Sequence, residues 1–265
     1  TPTNPSINKI NNWEFLPGTE KEGMAIERIM KTNGYDCIFM SGTASTEEKF
    51  KILGKFGNQS PRNIHLATHG YFFKDDRTIS ANDRTPQDNT ANEGTLPDSI
   101  QQIGANVTTI KELIESEPDE LVFKTSDHPM LRSGLIMAGG NSAWKGVPTP
   151  VGEEDGILTA YEISQMNLSN TELVVLSACE TGLGDIEGNE GVYGLQRAFK
   201  IAGVKYLIMS LWQVPDKQTS ILMITFYQKW LEDKMEIPQA FHAAQKELRE
   251  LGLDPYQWAG FVLVE

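Results

Sequence analysis

Two short stretches of this chain hold residue types that can do covalent chemistry together. HLATHG (65–70) and LVVLSACETG (173–182) each run from an apolar stretch through small or polar residues to a reactive side chain, His69 in one and Cys179 in the other. A thiol beside an imidazole is the minimum for nucleophilic catalysis, because the thiolate is the attacking species and the base generates it. Gly70 has no side chain to block a substrate, so its backbone N–H can point at a scissile carbonyl. With the N–H of Cys179 it would form an oxyanion hole. Gly182 and Gly184 would keep the loop after the nucleophile open. Taken singly, a Cys at a strand end is more often a small buried hydrophobe, and a His more often a structural residue. Their joint placement, each beside small residues at the end of an apolar stretch, favours catalysis.

The pair is 110 positions apart in the chain, so the fold must bring them together. Short apolar runs at 35–41, 63–68, 134–138, 172–178, 204–211 and 260–264 alternate with longer amphipathic segments. That alternation predicts an α/β fold with a mostly parallel central sheet and helices on both faces. In such a sheet ligands gather at the carboxyl ends of the strands, and His69 and Cys179 would share that rim. Helix starts are legible as capping boxes at Ser45 with Glu48 and at Thr159 with Glu162. Three more helices are expected over 191–203, closed by Gly203, over 217–231, and over 238–251 with Pro238 in its first turn. Residues 75–126 break the alternation, with eleven acidic and four basic residues among Asn, Thr, Gly and Pro. This insertion is expected to be a mobile acidic loop, a lid beside the cleft being the alternative.

Composition narrows the function from outside. The 265 residues are 39% hydrophobic and 22% charged, enough for a substantial core in one large domain or two small ones. A net charge of −13 disfavours nucleic acid, whose phosphates need clustered Lys and Arg. Two cysteines are too few for a disulfide framework, and four histidines show no metal-ligand spacing, so neither metal nor cofactor is expected. No GxGxxG or phosphate-loop pattern occurs, and GLGDIEG (182–188) lacks the Lys such a loop needs. No apolar run approaches a membrane span and no signal peptide opens the chain. The scarcity of cysteine is what leads to the expectation of a reducing, cytoplasmic setting. The first residue is Thr1 rather than Met, as expected if the native start has been cut away.

From about residue 35 onward the chain resembles the CHAT family of caspase-like domains, related to caspases and separases. The resemblance is carried by HLATHG, RSGLIMAG (132–139), GILTAYEI (156–163), LVVLSACETGLG (173–184), EGVYGLQRAFKIAGVKYLIMSLWQVPD (190–216), FY (226–227) and DPYQWAGFVL (254–263). It implies a caspase-like sandwich spanning 1–265 as a single domain, excised from a longer chain with an N-terminal sensor or tetratricopeptide-repeat region. It implies a cysteine endopeptidase with His69 and Cys179 as the dyad, cleaving a specific partner protein in bacterial signalling or defence. A separase block comparable to SLWQVPD places an Asp where it binds a basic P1 side chain, which makes Asp216 a candidate for the S1 pocket, with Asp155 and Glu180 as weaker ones. Asp216 as a helix N-cap is the competing reading. A catalytically silent caspase-fold interaction module is the alternative for the whole domain. The insertion at 75–126 is longer than the family pattern suggests. Cys37 is expected in the core, and Trp212 and Trp258 as packing anchors. His65, four residues before His69, would face the same side of an ideal strand and could support it, a structural role being the alternative. His128 and His242 have no catalytic neighbour. No side chain is identified to orient His69, so the backbone is the candidate.

Overall fold

In a computed structural model, residues 12–73, 128, 130–177 and 190–265 are described, the side chains of 190–193 excepted. The insertion at 75–126, Cys179, Glu180, Gly182 and Gly184 lie outside them.

The elements of the main sheet are β1 (Asn63–Leu66), β5 (Leu173–Leu176), β6 (Tyr206–Ser210) and β7 (Phe261–Val264), in the order β1-β5-β6-β7. β1 and β5 run parallel in register from Asn63↔Leu173 to Leu66↔Leu176, and β5 pairs with β6 in the same sense. β7 closes the edge antiparallel to β6. The apolar-on-both-faces character of β5 and β6 follows from two layers packed on them. Leu173, Val175 and Ile208 face one core, built with α1 (Pro17–Thr32), α6 (Asp216–Leu231) and α7 (Ile237–Glu250). Val174, Leu176, Leu207 and Met209 face the other, built with α2 (Glu47–Lys51), α4 (Ala160–Ser164) and α5 (Glu190–Ile201). The expected α/β architecture, with a mostly parallel sheet between helix layers, is therefore the one observed.

Beside it stands a three-stranded antiparallel sheet, β2 (His69–Phe72), β3 (Ser133–Ile136) and β4 (Ile157–Thr159). Leu135 and Leu158 join the second core, whereas Tyr71, Ile136 and Ile157 turn to a smaller aromatic cluster with Trp13, Phe73 and Trp144. Trp144 ends the short helix α3 (Gly140–Trp144). A last turn of helix, α8 (Pro255–Trp258), leads into β7.

Several local expectations need correction. Residues 35–41 alternate in burial as an extended chain does, with Tyr35 and Cys37 packed on the core and Ile38 exposed. They are nevertheless not a strand: the side-chain period is there but no ladder forms, and Phe39 instead lies against α1 so closely that a Cβ on Gly23 would come within 2.5 Å of its ring. The run 63–68 splits at Ala67–Thr68, where Thr68 Oγ1 donates to Ile136 O and the chain leaves one sheet for the other. The first capping box does not form: Thr46, not Ser45, caps the helix by accepting from the Lys49 N–H, and the residue there is a Lys that cannot return the bond. The box at Thr159 and Glu162 forms as expected, both of its bonds being made. Trp212 and Trp258 donate to the carbonyls of Tyr256 and Leu253, as packing anchors do.

Candidate active site

The parallel pairing of β1 with β5 continues one residue beyond the strands, where the Ser177 N–H donates to Leu66 O at 2.8 Å. The carboxyl ends of these two neighbours therefore form one rim. His69 follows Leu66 by three residues, and Cys179 follows Ser177 by two. His69 opens β2, opposite Ile136. Its Nε2 hydrogen-bonds the Glu14 carbonyl at 2.6 Å, and its ring lies 5.0 Å from that of Trp13.

Gly70 is buried opposite Leu135. The Phe73 N–H donates to Arg132 O at 2.8 Å, so in this antiparallel register Phe73 and every second residue before it, Tyr71 and His69, turn their backbone groups toward β3. The Gly70 N–H is consequently directed away from β3. Among the described residues β2 is an edge of the three-stranded sheet, so no strand pairs with it on that side.

His65 and His69 do not share a face, because the chain turns between them. His65 Nε2 meets Glu22 Oε1 at 2.8 Å and its Nδ1 lies 3.3 Å from the Tyr227 hydroxyl. Ser220 Oγ donates to the other oxygen of Glu22 at 3.1 Å. This buried set ties β1 to α1 and α6. Tyr227 lies in the apolar core, and burial, reinforced by the Glu22 charge, pushes its phenol well above the usual tyrosine range. His242 is exposed on α7, and His128 accepts from the Met130 N–H. Cys37 is half-buried, which raises its thiol pKa.

Of the acidic candidates, Asp216 is the first residue of α6, with Pro215 in the cap position and no side-chain cap bond. It is therefore not the N-cap. With Gly18, Thr19, Glu22, Ser177, Thr219 and Ser220 it lines a small hollow between α1, α6 and the end of β5. Gly18 permits that approach: a Cβ there would stand 3.1 Å from the Asp216 Cβ. Ser177 Oγ is buried there and has no hydrogen-bond partner among the described residues.

Asp155 belongs to a different group. Its Oδ1 accepts from the Ile157 N–H at 2.7 Å, and its carboxyl lies near that of Glu47. Burial, and then the charge of Glu162, pushes Glu47 up to about 7, and burial raises Asp155 too. Burial also works against ionised Glu162, but hydrogen bonds from Lys51 and Thr159 outweigh it and hold that carboxyl below its usual range. Lys51 Nζ stands 3.2, 2.8 and 2.9 Å from Glu47, Glu154 and Glu162. Burial opposes its charge, but those carboxylates prevail and raise its pKa. The oxygens of Glu47, Glu154 and Glu162 converge within 4.8 Å of one another, a spacing a cation could bridge, and the Lys51 ammonium already serves there. Sequence reasoning missed this group, whose members come from α2, α4 and the β4 approach. It also missed Trp13, Glu14 and Glu22, which surround the rim from the N-terminal side.

An α/β sandwich whose parallel strands deliver a His-Gly pair to the rim of the main sheet is a caspase-like domain. Residues 3–265 match the family model described as "CHAT domain", and the chain belongs to that family. It is similar to tetratricopeptide repeat protein 28 of Mus musculus, 25% identical over 254 residues that make up 95% of this chain and 9% of that protein. The Homo sapiens protein of the same name is 30% identical over 110 residues, 41% of this chain and 4% of the relative. The chain thus spans less than a tenth of the length of these relatives. Among the described residues no helix is long and apolar enough to cross a membrane.

Proposed function

We propose that this chain is a cysteine endopeptidase domain acting through His69 and Cys179, a module of a longer protein whose repeat region directs it to a specific partner protein. The observation that carries the reading is the in-register pairing of β1 with β5, because the chain segments that lead to His69 and Cys179 leave the sheet side by side. His69 takes the thiol proton, and the Cys179 thiolate attacks the peptide carbonyl. The Gly70 N–H, turned away from β3, and the Cys179 N–H hold the oxyanion. The tetrahedral intermediate expels the amine as His69 returns the proton to it, and water then releases the acyl-enzyme. The names of the relatives carry repeats of the kind the longer chain would supply.

On this reading Asp216 stands beside the S1 pocket, and its carboxylate favours Arg or Lys at P1. The hollow it shares with Glu22 and Ser177, about 10 Å³, has room for one water and not for the side chain itself. A P1-varied peptide library and a peptidyl acyloxymethyl-ketone probe test both parts. Wild type should cleave basic-P1 peptides and label. Cys179→Ala and His69→Ala should fold without cleaving, and Asp216→Asn should lose basic-P1 cleavage far more than apolar-P1 cleavage. Cleavage by folded Cys179→Ala would refute the dyad, and a wild-type preference for acidic P1 would refute the pocket. A folded wild type that neither labels nor cleaves would favour a silent interaction module.

A further inference from the structure

The chain ahead of α1 crosses the His69 end of the three-stranded sheet and is fastened there at three points. Trp13, 5% exposed, completes the small aromatic cluster, its ring 4.9 Å from Trp144 and 5.0 Å from His69. Asn141, at the start of α3, grips the backbone of the same residue twice: its Oδ1 accepts from the Trp13 N–H at 2.7 Å and its Nδ2 donates to Trp13 O at 3.0 Å. One residue later, Glu14 presents its carbonyl to His69 Nε2. α3 can deliver Asn141 because its first residue is Gly140, where a Cβ would come within 2.5 Å of Gly156 O.

The chemistry of that last contact fixes a proton. A carbonyl oxygen only accepts, so His69 Nε2 must carry the hydrogen, and in the neutral ring the lone pair then lies on Nδ1. We infer that Asn141 and Trp13 are positioning residues for His69: the amide clamp and the seated indole hold the Glu14 carbonyl on Nε2 and so make Nδ1 the basic nitrogen. The inference rests on the proposed role of His69 as general base. A backbone carbonyl held at both ends of the preceding residue thus orients the ring. Trp13 Nε1 is buried with no hydrogen-bond partner, so the seat uses the ring's shape and not its N–H.

The test reads His69 directly, by nitrogen NMR of histidine-labelled protein with His69→Gln to identify the signals. Wild type should show His69 protonated at Nε2 and pyridine-like at Nδ1 when neutral. Asn141→Ala and Trp13→Ala should mix the tautomers and lower kcat about tenfold, the effect of losing one or two positioning hydrogen bonds, with KM changed by less than roughly twofold. Trp13→Phe should match wild type in both. A wild-type ring protonated at Nδ1 overturns the inference whatever the activity and whichever variants fold. So does Trp13→Phe behaving as Trp13→Ala. Unaltered tautomer and kcat in both alanine variants overturn it while leaving the peptidase reading intact. A wild type that cleaves no peptide removes the peptidase reading and overturns the inference with it, even where the tautomer mixes in both alanine variants.

Discussion

Glu47 reaches from α2 into a pocket of charge where it is 1% exposed, with Asp155 and Lys51 beside it and the Gly156 N–H donating to its Oε2 at 2.9 Å. Its carboxyl is raised from an ordinary 4.5 to about 7, first by burial and then by Glu162. A folded-state pKa above the unfolded one means that the folded protein holds this proton more tightly. The associated stability is fully present below pH 4.5 and is lost as pH rises through about 7. At about 1.4 kcal/mol per pH unit, ionising Glu47 in place costs roughly 3 kcal/mol. Gln never ionises and keeps an oxygen for the Gly156 N–H, at the cost of turning its amide nitrogen toward Lys51 in place of Oε1. Lys51 keeps Glu154 and Glu162 as partners.

Glu47→Gln should therefore match wild type near pH 5 and exceed it near pH 8 by up to roughly 3 kcal/mol. For a domain of this size that is a rise in Tm of about 5–10 °C. Thermal melts of both proteins across that pH range supply the comparison. If Glu47→Gln loses stability relative to wild type as pH rises, the ionised Glu47–Lys51 pair is net stabilising and the argument from burial fails.

Two further predictions concern the frame around the rim. His65→Ala removes the imidazole from buried Glu22 and Tyr227 and should cost about 2–4 kcal/mol in urea unfolding; a change under about 0.5 kcal/mol would show that water replaces it without penalty. Gly54 has φ +72°, and a Cβ there would fall 1.9 Å from the Asn167 carbonyl oxygen, so Gly54→Ala should lower stability by at least about 2 kcal/mol through strain and displacement. An unchanged unfolding midpoint would mean that the 54–60 loop shifts freely.

Much of the scaffold was legible because burial on both faces leaves an unmistakable mark. LVVL and YLIMS read as central strands, and each alternate residue does enter a different core. The capping pair Thr159 and Glu162 was equally plain, because both partners lie within one turn. α1 went unread although Pro17 opens it and Ile26, Ile29 and Met30 line one face: Glu22, on the same face, breaks the apolar stripe. That glutamate is buried because His65 and Ser220 satisfy it, and neither is adjacent in the chain. β2 was hidden for another reason. Four residues beginning HG carry no alternation, and only the pairing with β3 makes them a strand. The extended segment 35–41 is the converse case, with an apolar period but no ladder.

The two acidic groups bear differently on a basic substrate, and their positions decide between them. Asp155 and Glu47 lie on the α2 and α4 side of the main sheet, where Lys51 already provides a cation to Glu47, Glu154 and Glu162. A second ammonium or guanidinium there would meet Lys51 and be repelled. Asp216 and Glu22 lie on the opposite side, with α1 and α6, at the end of β5 from which the chain continues to Cys179. Glu22 is engaged by His65 and Ser220, so the charge it adds is fixed in place and not free to swing out. Ser177 Oγ, buried and without a hydrogen-bond partner among the described residues, adds an acceptor at the inner wall. The hollow itself, about 10 Å³, has room for one water, so a ligand that brings donors and positive charge meets the half-buried Asp216 from outside it. Under the proposed peptidase reading that ligand is the P1 side chain, and Asp216, not Asp155, is the carboxylate it meets.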